Sequence, residues 1–179
     1  KNDSLTIYDG KWSAQQNPNA FESFFYFLKE IRPKRILEIG SATGGFTFFL
    51  KETVNNLGLE CDILSFDIFE YPAYEELRNL GVDIRIENIF DENYSNVSQY
   101  VKDYILSDGL TLILCDGGNK KEEFKILSQF MKEGDFILGH DYSYDEVTFE
   151  EKINRKIWNW LELTEKDISE TCVNYNLID

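Results

Sequence analysis

The sequence predicts a doubly wound α/β fold, a mostly parallel sheet with helices on both faces. Three observations predict it. Short apolar runs alternate with amphipathic stretches along the chain. "LTLILC", residues 110–115, is almost continuously apolar, as a strand covered on both faces must be. "RILEIGSATGGFTFFLKE", residues 35–52, passes from a strand through a glycine-bearing loop into a helix. In such sheets ligands bind at joins of this kind, outside the carboxyl ends of the strands.

Taken in order, residues 1–17 are polar and read as irregular, with Tyr8 and Trp12 as anchors. "NPNAFESFFYFLKEI" opens with Asn and Pro and spaces Phe21, Phe24, Phe25 and Leu28 as one face of a helix. These pieces, 1–33, form an N-terminal segment and helix; 34–179 is the core of the same single domain. "RILEI" is its first strand, and a helix runs from Gly45 to about Asn56 with Phe46, Phe49 and Leu50 on one face. "CDILSFDI" is a strand, "PAYEELRNL" a helix closed by Gly81, and "VDIRIEN" alternates as a strand does. "NVSQYVKDYIL" is a helix, "LTLILCD" a strand, "KKEEFKILSQFMK" a helix and "DFILGHD" a strand. A longer helix is predicted over 145–161, with Ile153, Ile157, Trp160 and Leu161 on one face. "ISETCVNYNLI" reads as one last strand.

The 179 residues are 42% hydrophobic and 15% aromatic, enough to bury a core. A net charge of −15 argues against a nucleic-acid or anionic membrane surface, but leaves room for a small nucleotide-like ligand in a local pocket. Cys61, Cys115 and Cys172 have no zinc spacing and read as buried thiols of a reducing compartment. No signal-peptide core or membrane-length apolar run is present, so a cytoplasmic protein is expected. The segment around Trp12 is a lid, a homo-oligomer contact or a packed cap.

The strand ends carry the candidate chemistry. After the first strand the spacing from Gly40 is G-x-x-x-G-G, which fails the dinucleotide fingerprint, and no Gly-Lys-Ser/Thr follows to make a P-loop. The loop is either a tight turn or the approach for a ligand. Asp67, 27 residues after Gly40, either accepts both hydroxyls of a ribose or caps a helix. A ribose-containing cofactor without a gripped pyrophosphate is S-adenosylmethionine. Asp116 and Asp141 emerge on the same sheet edge, where two carboxylates suit a hard divalent cation such as Mg²⁺; each also has a loop or cap reading. His140, the one histidine, is a general base by its ordinary pKa or a structural residue. Lys120 and Lys121 read as solvated residues at a helix start.

"RILEIGSATGG", "SFDI", "LILCDGG" and "MKEGDFILGHDYS", in this order, resemble class I S-adenosylmethionine-dependent methyltransferases over about residues 12–145. The nearer likeness is to the branch of cephalosporin hydroxylase-type proteins and small-molecule sugar O-methyltransferases. The resemblance implies a Rossmann-like methyltransferase fold with a shortened C-terminal hairpin. It implies that Glu38, Gly40, Ser41, Thr43 and Gly44 line the methionine part of the cofactor, that Asp67 holds the ribose, and that Asn88 and Ile89 flank the adenine. Asp116 borders the cofactor, and Asp116 and Asp141 match metal-binding acids, with His140 and Asp141 as the catalytic pair. Asn119 stands where the branch often has histidine, and His140 where metal-dependent relatives often have a second acid. The expected activity is methyl transfer to a small-molecule acceptor, at oxygen. A nicotinamide-dependent oxidoreductase and an inactive cofactor-binding module are the alternatives.

Overall fold

The computed structural model describes residues 5–8 and 12–177. Its elements are β1 (Leu5–Tyr8), β2 (Trp12–Gln15), α1 (Pro18–Ile31), β3 (Arg35–Ile39), α2 (Gly45–Asn56), β4 (Asp62–Asp67), α3 (Tyr74–Asn79), β5 (Asp83–Ile86) and α4 (Gln99–Leu106). They continue with β6 (Thr111–Cys115), α5 (Lys120–Leu127), β7 (Phe136–Gly139), β8 (Tyr142–Ser143), α6 (Glu146–Thr148), β9 (Leu163–Thr164) and α7 (Glu165–Tyr175). Five strands form one parallel sheet in the order β5-β4-β3-β6-β7, the predicted class. The order reverses between β3 and β6, so the loops after these strands leave a crevice between them.

Strand alternation divides the core in two. Leu37, Ile39, Leu64, Phe66, Ile113 and Cys115 pack on one face with Val101, Ile105, Phe124 and Leu127. Ile36, Ile63, Ile84, Leu112 and Leu114 pack on the other with Leu28, Phe49, Leu50 and Leu77. Each such side chain, fully buried, contributes roughly 1.5–3 kcal/mol. α1 starts where Asn17 accepts a hydrogen bond from the Asn19 amide at 3.0 Å. It meets α2 through an aromatic seam, Phe21 edge-on to Phe49 at 4.8 Å and Phe24 to Phe46 at 5.0 Å.

Three expectations are corrected. The segment 1–17 is not irregular throughout: β1 and β2 form an antiparallel pair. Trp12 is a packed cap, 3% exposed and stacked on Phe48 at 4.5 Å. The predicted helix over 145–161 is only α6 and a π turn at Phe149–Ile153; Asn154 leaves the helical region and Arg155 has a φ of +60°. β8 and β9 pair in parallel, and Asp141 O accepts from the amides of Glu162 and Leu163. A continuous 17-residue helix would carry the chain about 25 Å away and prevent that return. The predicted last strand is α7, and no C-terminal hairpin is present among the described residues. The Asp167 carboxylate accepts from the Thr164 amide at 3.0 Å, a helix-start signal that outweighs the β-branched composition, and Ile168 and Cys172 lie four apart toward the core.

β2 lies against the start of α2. A Cβ at Gly45 would sit 2.0 Å from the Ser13 carbonyl oxygen. Gly45→Ala is therefore expected to lower stability by about 1–3 kcal/mol in denaturant titrations, because backbone must move. Gly118→Ala, where a Cβ meets nothing within 4 Å, should leave the midpoint unchanged.

Candidate active site

The loop after β3 is fixed by its neighbours. Gly40 has a φ of +89°, and a Cβ there would lie 2.2 Å from the Asp116 carbonyl oxygen. Ser41 Oγ shares a hydrogen bond with Ser65 Oγ at 2.5 Å. The Ala42 amide donates to Asp67 Oδ2 at 2.7 Å, and Tyr74 Oη donates to Ala42 O at 2.7 Å. Thr43 Oγ1 donates to Ser13 O at 2.6 Å. What approaches Gly40 and Gly45 most closely is thus the protein's own backbone.

Glu38 lies beneath this loop, 2% exposed. Its Oε2 accepts from Thr47 Oγ1 at 2.6 Å and from Ser65 Oγ. Burial pushes its pKa up to about 7, although the two hydroxyls pull the other way.

Asp67 ends β4. Its Oδ1 accepts from the Phe69 amide at 3.0 Å while Oδ2 holds Ala42, so the carboxylate spans two loops and retains free lone pairs. It lines a cavity of about 300 Å³ with Asn88, Ile89, Phe69, Tyr71, Phe90 and Tyr94. Tyr94, in a left-handed conformation, stacks on Phe90 at 5.1 Å.

A charged network crosses the ends of β6 and β7. His140 Nδ1 lies 3.0 Å from Asp116 Oδ1 and 3.2 Å from Asp141 Oδ1, an ion pair with both but a linear hydrogen bond to neither. Burial lowers the imidazole pKa, but the two carboxylates more than reverse this, to about 9. His140 is consequently an imidazolium at neutral pH, not the free base its ordinary pKa suggested. Lys120, the first residue of α5, is not solvated either: it is 6% exposed. Its Nζ lies 2.6 Å from Glu162 Oε2, 3.4 Å from Asp141 Oδ2 and 3.5 Å from Asp116 Oδ1. Burial lowers the Lys120 pKa, and the carboxylates reverse that too. Asp141 has a φ of +56°; burial raises its pKa, and His140 and Lys120 bring it below the usual carboxylate range. Lys121, by contrast, is exposed and pairs with Asp167 at 2.9 Å.

This network forms the floor of a second cavity of about 590 Å³. Gln16, Thr43, Phe46, Trp158 and Trp160 form its walls. The two cavities meet at Gly40, Ala42 and Asp116, which line both. A larger one of about 1070 Å³ lies along the outer edge of β7, between Phe136, Leu163 and Cys172, and touches none of the strand-end acids except through Gly139 and Tyr142 beside them.

Asp116, His140 and Asp141 bring donor atoms within 4.8 Å of one another, the spacing of a cation site. Their surroundings do not fit magnesium. A hard dication needs near-octahedral oxygen ligands, whereas both carboxylates here already face the Lys120 ammonium, and the third donor is an imidazole nitrogen. A dication about 4–5 Å from an ammonium meets a repulsion of roughly 7–8 kcal/mol at an effective dielectric near 20.

A family model for the FtsJ-like methyltransferases matches residues 19–156, most of the chain. The chain belongs to the FtsJ-like methyltransferase family. The family is the class I S-adenosylmethionine-dependent methyltransferase type that the sequence resembles. No curated protein sequence matches it significantly. Among solved structures it is similar to the apo structure of CmcI-N160, with a TM-score of 0.60 and 15% identity over 82% of this chain and 60% of that one. It is similar to the Mg-SAM structure of CmcI-D160, with a TM-score of 0.56 and 14% identity over 92% and 62%. It is also similar to a protein described as a caffeoyl-CoA O-methyltransferase from Staphylococcus aureus, with a TM-score of 0.53 and 18% identity over 77% and 60%. At these identities the likeness is one of fold, and the chain spans about three-fifths of each of these proteins.

The residues present fit an adenosyl cofactor: a carboxylate, an amide and aromatic walls on one side, a glycine-bearing loop at the junction. Gly40, Ser41 and Thr43 line the second cavity, and Asp67, Asn88 and Ile89 the first. Glu38 and Gly44 line neither cavity. Glu38 is buried on the α2 side of the sheet, and Gly44 is the left-handed residue that starts α2. Asn119 caps α5 with its side chain. Burial raises the pKa of Cys115, and that of Cys61 to about 12, so neither thiol is a nucleophile. Lys120, Glu162, Trp158 and Tyr94 were missed in the sequence. For Lys120 a signal existed: it stands in the first turn of the helix after β6, four residues beyond Asp116.

Glu38 has a pH signature. The folded chain holds its proton up to about pH 7, the unfolded chain only to about 4.5. The folded state binds more protons in that window, so stability falls as pH rises through it. Glu38→Gln should remove this fall, worth up to about 3 kcal/mol, in denaturant titrations at pH values spanning the window.

Proposed function

We propose that this methyltransferase transfers the methyl group of S-adenosylmethionine to an oxygen of a small molecule. The observation that carries the reading is the junction of the two cavities at Gly40, Ala42 and Asp116, with His140 on the floor of the second. S-adenosylmethionine, when bound, supplies an electrophilic methyl on a sulfonium. Asp67 accepts from the ribose through the lone pairs its backbone bonds leave free, and Asn88 and Ile89 flank the adenine. The Gly40–Thr43 loop borders the methionine part. Trp158, Trp160 and Phe46 exclude water around an acceptor and orient it against the methyl, which is the larger part of catalysis for a displacement of this kind. The names of two similar proteins, a caffeoyl-CoA O-methyltransferase and CmcI with Mg-SAM, support oxygen as the acceptor atom and S-adenosylmethionine as the donor. The chain's charge of −15 favours a small acceptor over a nucleic acid. No described helix is long and apolar enough to cross a membrane.

His140 takes the acceptor proton. Its Nδ1 is held between Asp116 and Asp141, and no partner for Nε2 is found among the described residues, so Nε2 is the nitrogen free to meet a hydroxyl. Asp141 is a positioning residue for it. The base must first lose its own proton, so kcat/KM is expected to rise about tenfold per pH unit below the His140 pKa and to level above about 9. His140→Asn should lower kcat by about 10²–10⁴-fold and flatten that slope, read with a panel of hydroxylated acceptors. No turnover with any acceptor, with the cofactor still bound, would support the inactive-module alternative.

Asp67→Ala should weaken S-adenosylmethionine binding by roughly 1.5–3 kcal/mol in calorimetry, and Asp67→Asn by less, since one acceptor oxygen remains. An unchanged affinity in Asp67→Ala would overturn the placement of the ribose.

A further inference from the structure

We infer that Lys120 stands in the place of a divalent cation: its ammonium is a built-in positioning charge that holds Asp116, Asp141 and Glu162 together and makes the acceptor site independent of added metal. The inference rests on reading the second cavity as the methyl-acceptor site.

Asp116 and Asp141 converge on one point at the strand ends, and two carboxylates so placed repel each other unless a cation lies between them. Lys120 supplies a cation from within the fold, beside His140, whose Nδ1 also faces both acids. Its Nζ reaches both acids at 3.5 and 3.4 Å, and donates to Glu162 Oε2 at 2.6 Å and to Gly117 O at 3.3 Å. With two hydrogen bonds and two ion pairs on one ammonium, Lys120 acts by holding its partners and is not itself the base.

Its position in the fold is otherwise unfavourable. The residue opens α5, where the helix dipole disfavours a positive charge, and it is almost fully buried. Neither helix formation nor core packing calls for a lysine there; the three carboxylates do.

The ammonium also makes a link between distant segments. Glu162 belongs to the segment that carries Trp158 and Trp160 into the cavity wall. Through Lys120 this segment is tied to the ends of β6 and β7, so the charge that steadies the acids also sets the wall beside them.

Manganese is the probe, followed by electron paramagnetic resonance on the whole chain without acceptor. The wild type and Lys120→Arg should bind no Mn²⁺ up to millimolar concentration. Lys120→Met, with only His140 left facing its acids, should bind it, and Asp116→Asn in that background should abolish the binding. Wild-type turnover should be the same in chelator as in Mg²⁺. Lys120→Met should lose roughly 10²-fold, as expected for a misplaced site, and recover in part with Mn²⁺. A lysine that only supported the fold would give no such gain of metal response.

Wild-type Mn²⁺ binding that Asp116→Asn removes, or loss of wild-type turnover in chelator that Mg²⁺ restores, would overturn the inference. So would a folded Lys120→Met that gains no Mn²⁺. If circular dichroism shows Lys120→Met unfolded, the wild-type and Lys120→Arg titrations decide the question. Calorimetry with S-adenosylmethionine tests the methyl-transfer reading separately, so failure of one is distinguishable from failure of the other.

Discussion

At the centre of the sheet, β3 pairs with β4 on one side and β6 on the other, in a register that sets Ile39 beside both Phe66 and Cys115. The loops that follow must therefore leave from adjacent points, and they touch through the Gly40 backbone and the Asp116 carbonyl. No side chain fits between them. Both cavities open from that contact: Asp67 and Asn88 lie on one side, His140 and Asp141 on the other. A wider separation of the two loops would break the site into unrelated halves. The loop after β3 is held in turn by Asp67, Tyr74 and Ser13, each from a different element.

Acidic side chains behave differently on the two sides of this contact. Glu38 is surrounded by hydroxyls and core side chains, without a cation, and burial raises its pKa to about 7. Asp141 is also largely enclosed, yet it faces His140 and Lys120 and stays ionised. Desolvation acts on both; the neighbouring charge decides the outcome. The same acids raise His140 to about 9, so the network carries its positive charge at neutral pH and a free imidazole only above it. A protein that neutralises its own strand-end acids leaves a dication little to gain there.

The wall of the second cavity has a different origin. After β7 the chain turns out through α6 and returns at Glu162, whose amide and that of Leu163 bond to Asp141 O. This short parallel return brings Trp158 and Trp160 over the strand ends. α7 then begins at once, fixed by Asp167, and packs back on α5. The acceptor wall is thus made from a segment with little regular structure, pinned at each end by backbone bonds.

The sequence by itself determined the parallel sheet, its strands from "RILEI" to "DFILG", the helices between them, and the strand-end residues Gly40, Asp67, Asp116, His140 and Asp141. Those features follow from local signals: apolar periodicity, glycine in turns and carboxylates at strand ends. The tertiary structure alone decided their electrical state and their company. That Lys120 is paired, that His140 is charged, and that Glu38 is sealed under the loop depend in part on groups distant in the chain: Glu162, 42 residues from Lys120, Asp116, 24 from His140, and Ser65, 27 from Glu38. Trp158 and Trp160 fall in a stretch read as a long helix, with Trp160 on its apolar face beside Ile153, Ile157 and Leu161. They became a cavity wall because the β8–β9 pairing closes the chain on itself, and a pairing across space leaves no mark on the spacing of residues along the chain.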